Sequence, residues 1–272
     1  MIIYPKTSDS LQGFDVLKPY VEYSHGTEIQ MLKWEKLEYL DEIIDKMISE
    51  VPTIEEITVH PPLTEEYNFE VLSYKNFDEE INRIKLLIEL SEKYSIRVNL
   101  LYHTRWDYNC WMSSGGVNRM TQLVELIENT NIKILVENIY SMVDKEDSTV
   151  LKLARKIDSE NFKVCLDICH LHCQANVFKL GFDEFLSNYL NKDDCEKYVY
   201  QIHFASTLKN DGYVEKATHG RKHDTMESFE EDYKILRDYG MENRIIVPEI
   251  SEDDYSIRVD QIAEIKMLKR MC

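Results

Sequence analysis

Lys163-Val164-Cys165-Leu166-Asp167-Ile168-Cys169-His170 is a run of apolar, strand-forming residues that delivers a carboxylate and, three residues later, an imidazole. A buried ionisable group is costly unless something compensates it. A strand that ends at a cavity offers both side chains to one metal ion, and such an ion needs further donors from neighbouring strand ends.

Outward from this segment the chain alternates short apolar runs with period-3.6 patterns. Strands are expected at Ile2–Tyr4, Gly26–Gln30, Glu56–His60, Arg97–His103, Lys133–Glu137, Lys163–Asp167, Tyr198–Phe204 and Arg244–Ile250. Helices are expected over Leu37–Ser49, Phe77–Tyr94, Val117–Glu128, Thr149–Ile157, Phe182–Leu190, Phe229–Tyr239 and Ile257–Met271. Apolar strands alternating with helices predict parallel βα units. Eight such units predict a (β/α)8 TIM barrel of the α/β class, as one domain over residues 1–272. An open doubly wound sheet is the competitor, but no glycine-rich phosphate fingerprint follows the first strand.

Composition fits this reading. The 272 residues are 43% hydrophobic, with only 8 Gly and 6 Pro, which suits a packed core and not a disordered chain. No apolar run approaches the ~18 residues of a membrane span, and Met1–Lys6 lacks a signal-peptide pattern, so a cytoplasmic protein is expected. The six cysteines show no framework spacing and are expected as free thiols. Cys169-His170-Leu171-His172-Cys173 lacks the two separated ligand pairs of a structural zinc site, so Cys169, His172 and Cys173 are expected to pack near a site. The net charge is -18, and the 32 basic residues form no stripe among 50 acidic ones. This disfavours nucleic acid as a partner, since polyanion binding relies on Lys and Arg at phosphates.

In a barrel, function gathers at the C-terminal ends of the strands. That rim takes His60 from the third strand, His103 from the fourth, Glu137 from the fifth, Asp167 and His170 from the sixth, His203 from the seventh and Glu249 from the eighth. Each alone reads as a hydrogen-bonded core residue, but together they make a shared divalent-metal site. Carboxylates and imidazoles without thiolate suit Zn, Mn, Fe or Co. Three carboxylates and several imidazoles exceed what one ion needs, so two or three ions are expected. In the polar segment Ser206–Glu227, His223 is a further candidate ligand, whereas His219 and His25 read as non-ligands.

These residues resemble the xylose-isomerase-like TIM barrels, which include endonuclease IV and sugar isomerases and epimerases. Val164–His170 is similar to the endonuclease IV signature, and Val136-Glu137-Asn138, Ile202-His203-Phe204 and Val247-Pro248-Glu249 match family positions in order. The resemblance implies a Glu137, Asp167, His203, Glu249 quartet shared by both branches. In the endonuclease branch it implies further ligands at His60, His103, His170 and His223. Arg221 stands where that branch has an Asp, with Asp224 as a substitute nearby. Pro61-Pro62-Leu63-Thr64 lacks the aromatic beside the histidine that enters DNA, and the N-terminal DNA-contact loop is not recognisable.

Two reactions follow from the resemblance. One is phosphoester hydrolysis on a small phosphorylated substrate, with Glu137 bridging two ions and Arg221 or Lys222 stabilising phosphate charge. The other is isomerisation or epimerisation of a sugar on one Mn or Zn ion, with Glu137 and Glu249 exchanging the proton. A metal-binding barrel without activity is a third reading. Trp106 and Tyr108, in a loop shared with Trp111, are candidates to stack on a sugar or base, and Lys209 and Lys222 are candidate substrate contacts.

Overall fold

Pro5 has no backbone N–H to donate to a ladder, and it splits the first strand in two. The computed structural model describes residues 1–62, 77–103, 112–138, 148–207 and 220–271. In it β1 (Ile2–Ile3) pairs in parallel with β9 (Ile245–Pro248), and β2 (Lys6–Ser8) pairs in parallel with β3 (Gly26–Gln30). Between them run β4 (Glu56–His60), β5 (Arg97–His103), β6 (Ile134–Glu137), β7 (Phe162–Asp167) and β8 (Val199–Phe204). The order is β1-β9-β8-β7-β6-β5-β4-β3-β2. Its two ends are consecutive pieces of one extended segment. Tyr4 N donates to Ile246 O at 2.9 Å, and Glu28 N donates to Pro5 O at 3.0 Å, so the segment joins β9 to β3. The sheet is therefore the expected TIM barrel and not the open alternative.

Each strand position is followed by helix: α1 (Phe14–Ser24), α2 (Leu40–Glu50), α3 (Phe77–Tyr94), α4 (Ser114–Leu126), α5 (Thr149–Ile157), then α6 (Ile168–Phe178), α7 (Phe182–Tyr189) and α8 (Lys192–Tyr198) after β7, α9 (Met226–Asp238) after β8, and α10 (Val259–Arg270). The apolar period marks α3 and α5 to the residue. It passes over α1, which has Pro19 inside it. It also passes over α6, whose first eight residues are all buried, so there is no alternation to read. Outward-facing strand residues such as Ile57, Val59, Leu100, Val136, Leu166 and Ile202 pack with the helices in one core. Among the described residues no helix is long and apolar enough to cross a membrane. Cys165, Cys169, Cys173 and Cys195 are free thiols, as expected; Cys110 and Cys272 lie outside the described residues.

A chain of buried polar groups ties the helices α6, α9 and α10 to the segment after β8. His172 Nε2 is 2.7 Å from Asp232 Oδ1, and His223 Nε2 is 3.0 Å from Asp232 Oδ2. His223 Nδ1 is 2.6 Å from Glu264 Oε1, and its ring stacks on Phe204 at 5.1 Å. Burial opposes charge on His223, but its hydrogen bonds to Asp232 and Glu264 outweigh this and raise its pKa to about 9. Burial likewise opposes ionisation of Asp232, yet His172 and His223 hold it at about 2.

The floor of the barrel is tight. A Cβ on Gly26 would lie 2.3 Å from Tyr4 Cζ. Gly26→Ala is expected to cost about 1–3 kcal/mol in urea unfolding, as overpacking does; an unchanged midpoint would contradict this contact. The His223 pKa is raised on folding, so its contribution to stability is complete below its ordinary value near 6.5 and is lost as pH rises through about 9. The unfolding temperatures of wild type and His223→Gln should accordingly differ at pH 6 and converge above pH 9.

Candidate metal centre

Parallel strands in register bring their C-terminal residues to one rim. His103 lies opposite Glu137, and Asp167 lies opposite His203. His60, His103, Glu137 and Asp167 are each the last residue of their strand, His203 is one residue from the end of β8, and Glu249 follows β9 directly. All but Glu249 are buried, and its side chain is 13% exposed. One carboxylate is central: the Glu137 oxygens lie 3.6 Å from His60 Nε2, 3.1 Å from His103 Nε2, 3.5 Å from His170 Nε2 and 3.4 Å from His203 Nδ1.

Asp167 and His170 are placed differently from the expectation of a shared strand. Asp167 ends β7 and caps α6, its Oδ1 accepting from His170 N at 2.7 Å. An N-cap carboxylate satisfies an otherwise orphaned helix N–H, so the Asp-x-x-His spacing is first a strand-to-helix junction. His170 then stands in the first turn of α6, with Nε2 3.6 Å from Asp167 Oδ2. Asn138 fixes the junction from β6: its Nδ2 donates to Asp167 O at 3.0 Å, and its Oδ1 accepts from Asp167 N at 2.7 Å.

Outer partners set the orientation of two rings. His60 Nδ1 is 2.8 Å from Pro61 O, and a carbonyl only accepts, so the proton is on Nδ1 and the Nε2 lone pair faces inward. His203 Nε2 is 2.8 Å from Glu28 Oε2, which also accepts from Gln201 Nε2 at 2.7 Å, and this turns Nδ1 toward Glu249 at 3.0 Å. His60 Nε2 and His203 Nδ1 are buried without a hydrogen bond. An imidazole held by a carboxylate or carbonyl on its outer nitrogen is the usual form of a metal ligand.

The donors form overlapping groups, among them His60, His103 and Glu137; Glu137, Asp167, His203 and Glu249; and Glu28, His60 and His203, with the ligand atoms of each group within 4.8 Å of one another. These nitrogens and oxygens fit a divalent ion such as Zn or Mn. Cys165 also reaches Glu137 and His203, but burial pushes its thiol to about 12, so it stays protonated and is a poor donor. Burial opposes ionisation of Glu137, but His203 and His103 outweigh it and hold the carboxyl well below its ordinary range. Lys6 and His203 do the same for Glu249. Burial and nearby Lys6 lower His60 and keep it neutral. Ionised carboxylates and a neutral imidazole are the forms that bind metal.

Among the described residues, His223 and Lys222 are engaged away from this ring. Both nitrogens of His223 are engaged by Asp232 and Glu264, so it is turned away from the rim. Among the described residues no group of three or more donors at this spacing includes His170, which stays beside the ring at 3.5 Å from Glu137 Oε1. Arg221 pairs by its backbone with Ser206 and has an exposed side chain, as does Asp224, while Lys222 is paired with Asp260 of α10. Trp106, Tyr108, Trp111, Lys209 and His219 lie outside the described residues. Two ring members escape the sequence reading: Lys6, whose Nζ is 2.8 Å from Glu28 Oε1 and 2.5 Å from Glu249 Oε1, and Glu28 itself. The available signal was Glu28 between Thr27 and Ile29 inside a buried strand.

The chain is similar to three known proteins. A stretch of 99 residues is 24% identical to the probable endonuclease 4 of Thermoplasma volcanium, spanning 36% of this chain and 35% of that protein. In fold, the chain is similar to the TTHB071 protein of Thermus thermophilus, soaked with ZnCl2, at 17% identity and TM-score 0.62, over 100% of this chain and 98% of that one. It is also similar to 3-keto-D-glucoside 4-epimerase from E. coli, at 13% identity and TM-score 0.52, over 100% of both chains. The model of the xylose isomerase-like TIM barrel family matches residues 20–271. The chain belongs to the xylose isomerase-like TIM barrels.

Proposed function

We infer that the protein is a divalent-metal-dependent phosphoester hydrolase with two ion sites that share Glu137. The observation that carries this reading is the pair of donor groups, His60–His103–Glu137 and Glu137–Asp167–His203–Glu249, meeting at one buried carboxylate. Two ions held about 3.5–4 Å apart would supply an activated water at neutral pH and polarise a phosphoryl oxygen. Glu137 would keep both sites in register. His60, held by Pro61, and His203, held by Glu28, would present fixed lone pairs to them. His170, at 3.5 Å from Glu137 Oε1, lies beside the ligands and would bind substrate or move a proton at the reacting oxygen. Arg221, with its exposed side chain, is left as a contact for substrate phosphate. The net charge of -18 favours a small phosphorylated substrate over a nucleic acid.

A second reading has its own support. Glu137, Asp167, His203 and Glu249 are a four-donor set complete without His60 and His103. One ion there would suit a sugar isomerase or epimerase, with Glu137 and Glu249 as the proton-exchanging pair.

Elemental analysis after metal loading separates the two. The hydrolase reading expects two ions per wild-type chain and about one in the His60→Ala/His103→Ala double variant; one ion in both would favour the isomerase. Glu137→Gln should fold yet lose hydrolysis of bis(p-nitrophenyl) phosphate by more than the roughly 10–100-fold that loss of an outer-shell partner costs. Retained turnover would sink its bridging role.

A further inference from the structure

Lys6 opens β2, and its side chain is 9% exposed. Its ammonium contacts one oxygen of Glu28 at 2.8 Å and one of Glu249 at 2.5 Å. Both carboxylates serve the ring, Glu28 by holding His203 and Glu249 as a member of the four-donor set. A monovalent cation thus sits on a proposed metal ligand, with a charge of the same sign as the metal.

We propose that Lys6 is the resident cation of the ring: it holds Glu28 and Glu249 in the ligand arrangement when no divalent ion is bound, and it weakens the grip of the Glu137, Asp167, His203 and Glu249 set on such an ion. This inference rests on the reading of the ring as a divalent-metal site. Four histidines surround Glu137, whereas Glu28 and Glu249 both rest on Lys6, which supplies a positive charge to these two carboxylates. Without it, their mutual repulsion and desolvation would fall on the metal-free protein. With a divalent ion in place the same charge repels that ion at short range, where little water intervenes. Lys6 also occupies Glu249 Oε1 and so opposes a two-oxygen grip by that carboxylate. A lysine that only packed the barrel would contribute equally with and without metal.

The test compares wild type, Lys6→Met and Lys6→Gln after metal stripping. Zinc affinity is measured by competition with a chromophoric chelator, and thermal unfolding is followed with and without zinc. Both variants are expected to unfold at lower temperature than wild type when stripped. Both are also expected to bind zinc at least about tenfold tighter, and so to gain more from zinc, because removing one like charge at this range is worth more than the ~1.4 kcal/mol that tenfold represents. Equal or weaker zinc binding in the variants, or the same loss of stability with and without zinc, would overturn the proposal. If wild type binds no zinc, the metal-site reading itself falls and takes this inference with it. If wild type binds zinc and the variants bind no tighter, only the role of Lys6 falls. Lys6→Gln keeps a hydrogen-bond donor and carries the comparison if Lys6→Met does not fold.

Discussion

Glu137 is 1% exposed, and four histidine rings lie 3.1 to 3.6 Å from its oxygens. A buried carboxylate is tolerated only where cations or donors surround it, and the rest of the site is arranged around that demand. His60, His103 and His203 reach it from three strands, His170 from the first turn of a helix, and Lys6 steadies the neighbouring Glu249. The same set of nitrogens and oxygens that neutralises Glu137 as protons and hydrogen bonds is the set a divalent ion would use.

The barrel supplies this convergence at little local cost. Parallel strands in register end together, so one polar residue per strand is enough to build a ring. Closure depends on the split first strand, and the same split delivers Lys6 to the rim. The buried chain His172–Asp232–His223–Glu264 fixes a different segment, the stretch after β8, against α6, α9 and α10. It gives His223 a structural role and leaves Arg221 and Asp224 at the surface.

Much of the fold is legible in the chain, because apolar strands flanked by amphipathic helices are local patterns. Where the pattern fails, the cause is physical. α1 keeps its apolar spacing at Phe14, Leu17 and Val21 but carries Pro19, which reads as a helix breaker, and α6 is buried over its first eight residues, so no exposed face marks it. The ring members His60, His103, Glu137, Asp167, His203 and Glu249 are legible because each polar residue closes an apolar run. Glu28 lies mid-strand, and Lys6 opens a three-residue strand, so neither is marked by position. His223 is the reverse case. Its place in the polar segment after the seventh strand suggested the rim, but its partners Asp232 and Glu264 lie on later helices, and the sequence does not mark that contact.

The most direct test of the central claim is anomalous diffraction from crystals soaked in zinc or manganese. The account predicts two peaks flanking the Glu137 carboxylate, one with His60 and His103, the other with Asp167, His203 and Glu249. A single peak that leaves His60 and His103 without an ion, or no peak at Glu137, would contradict it.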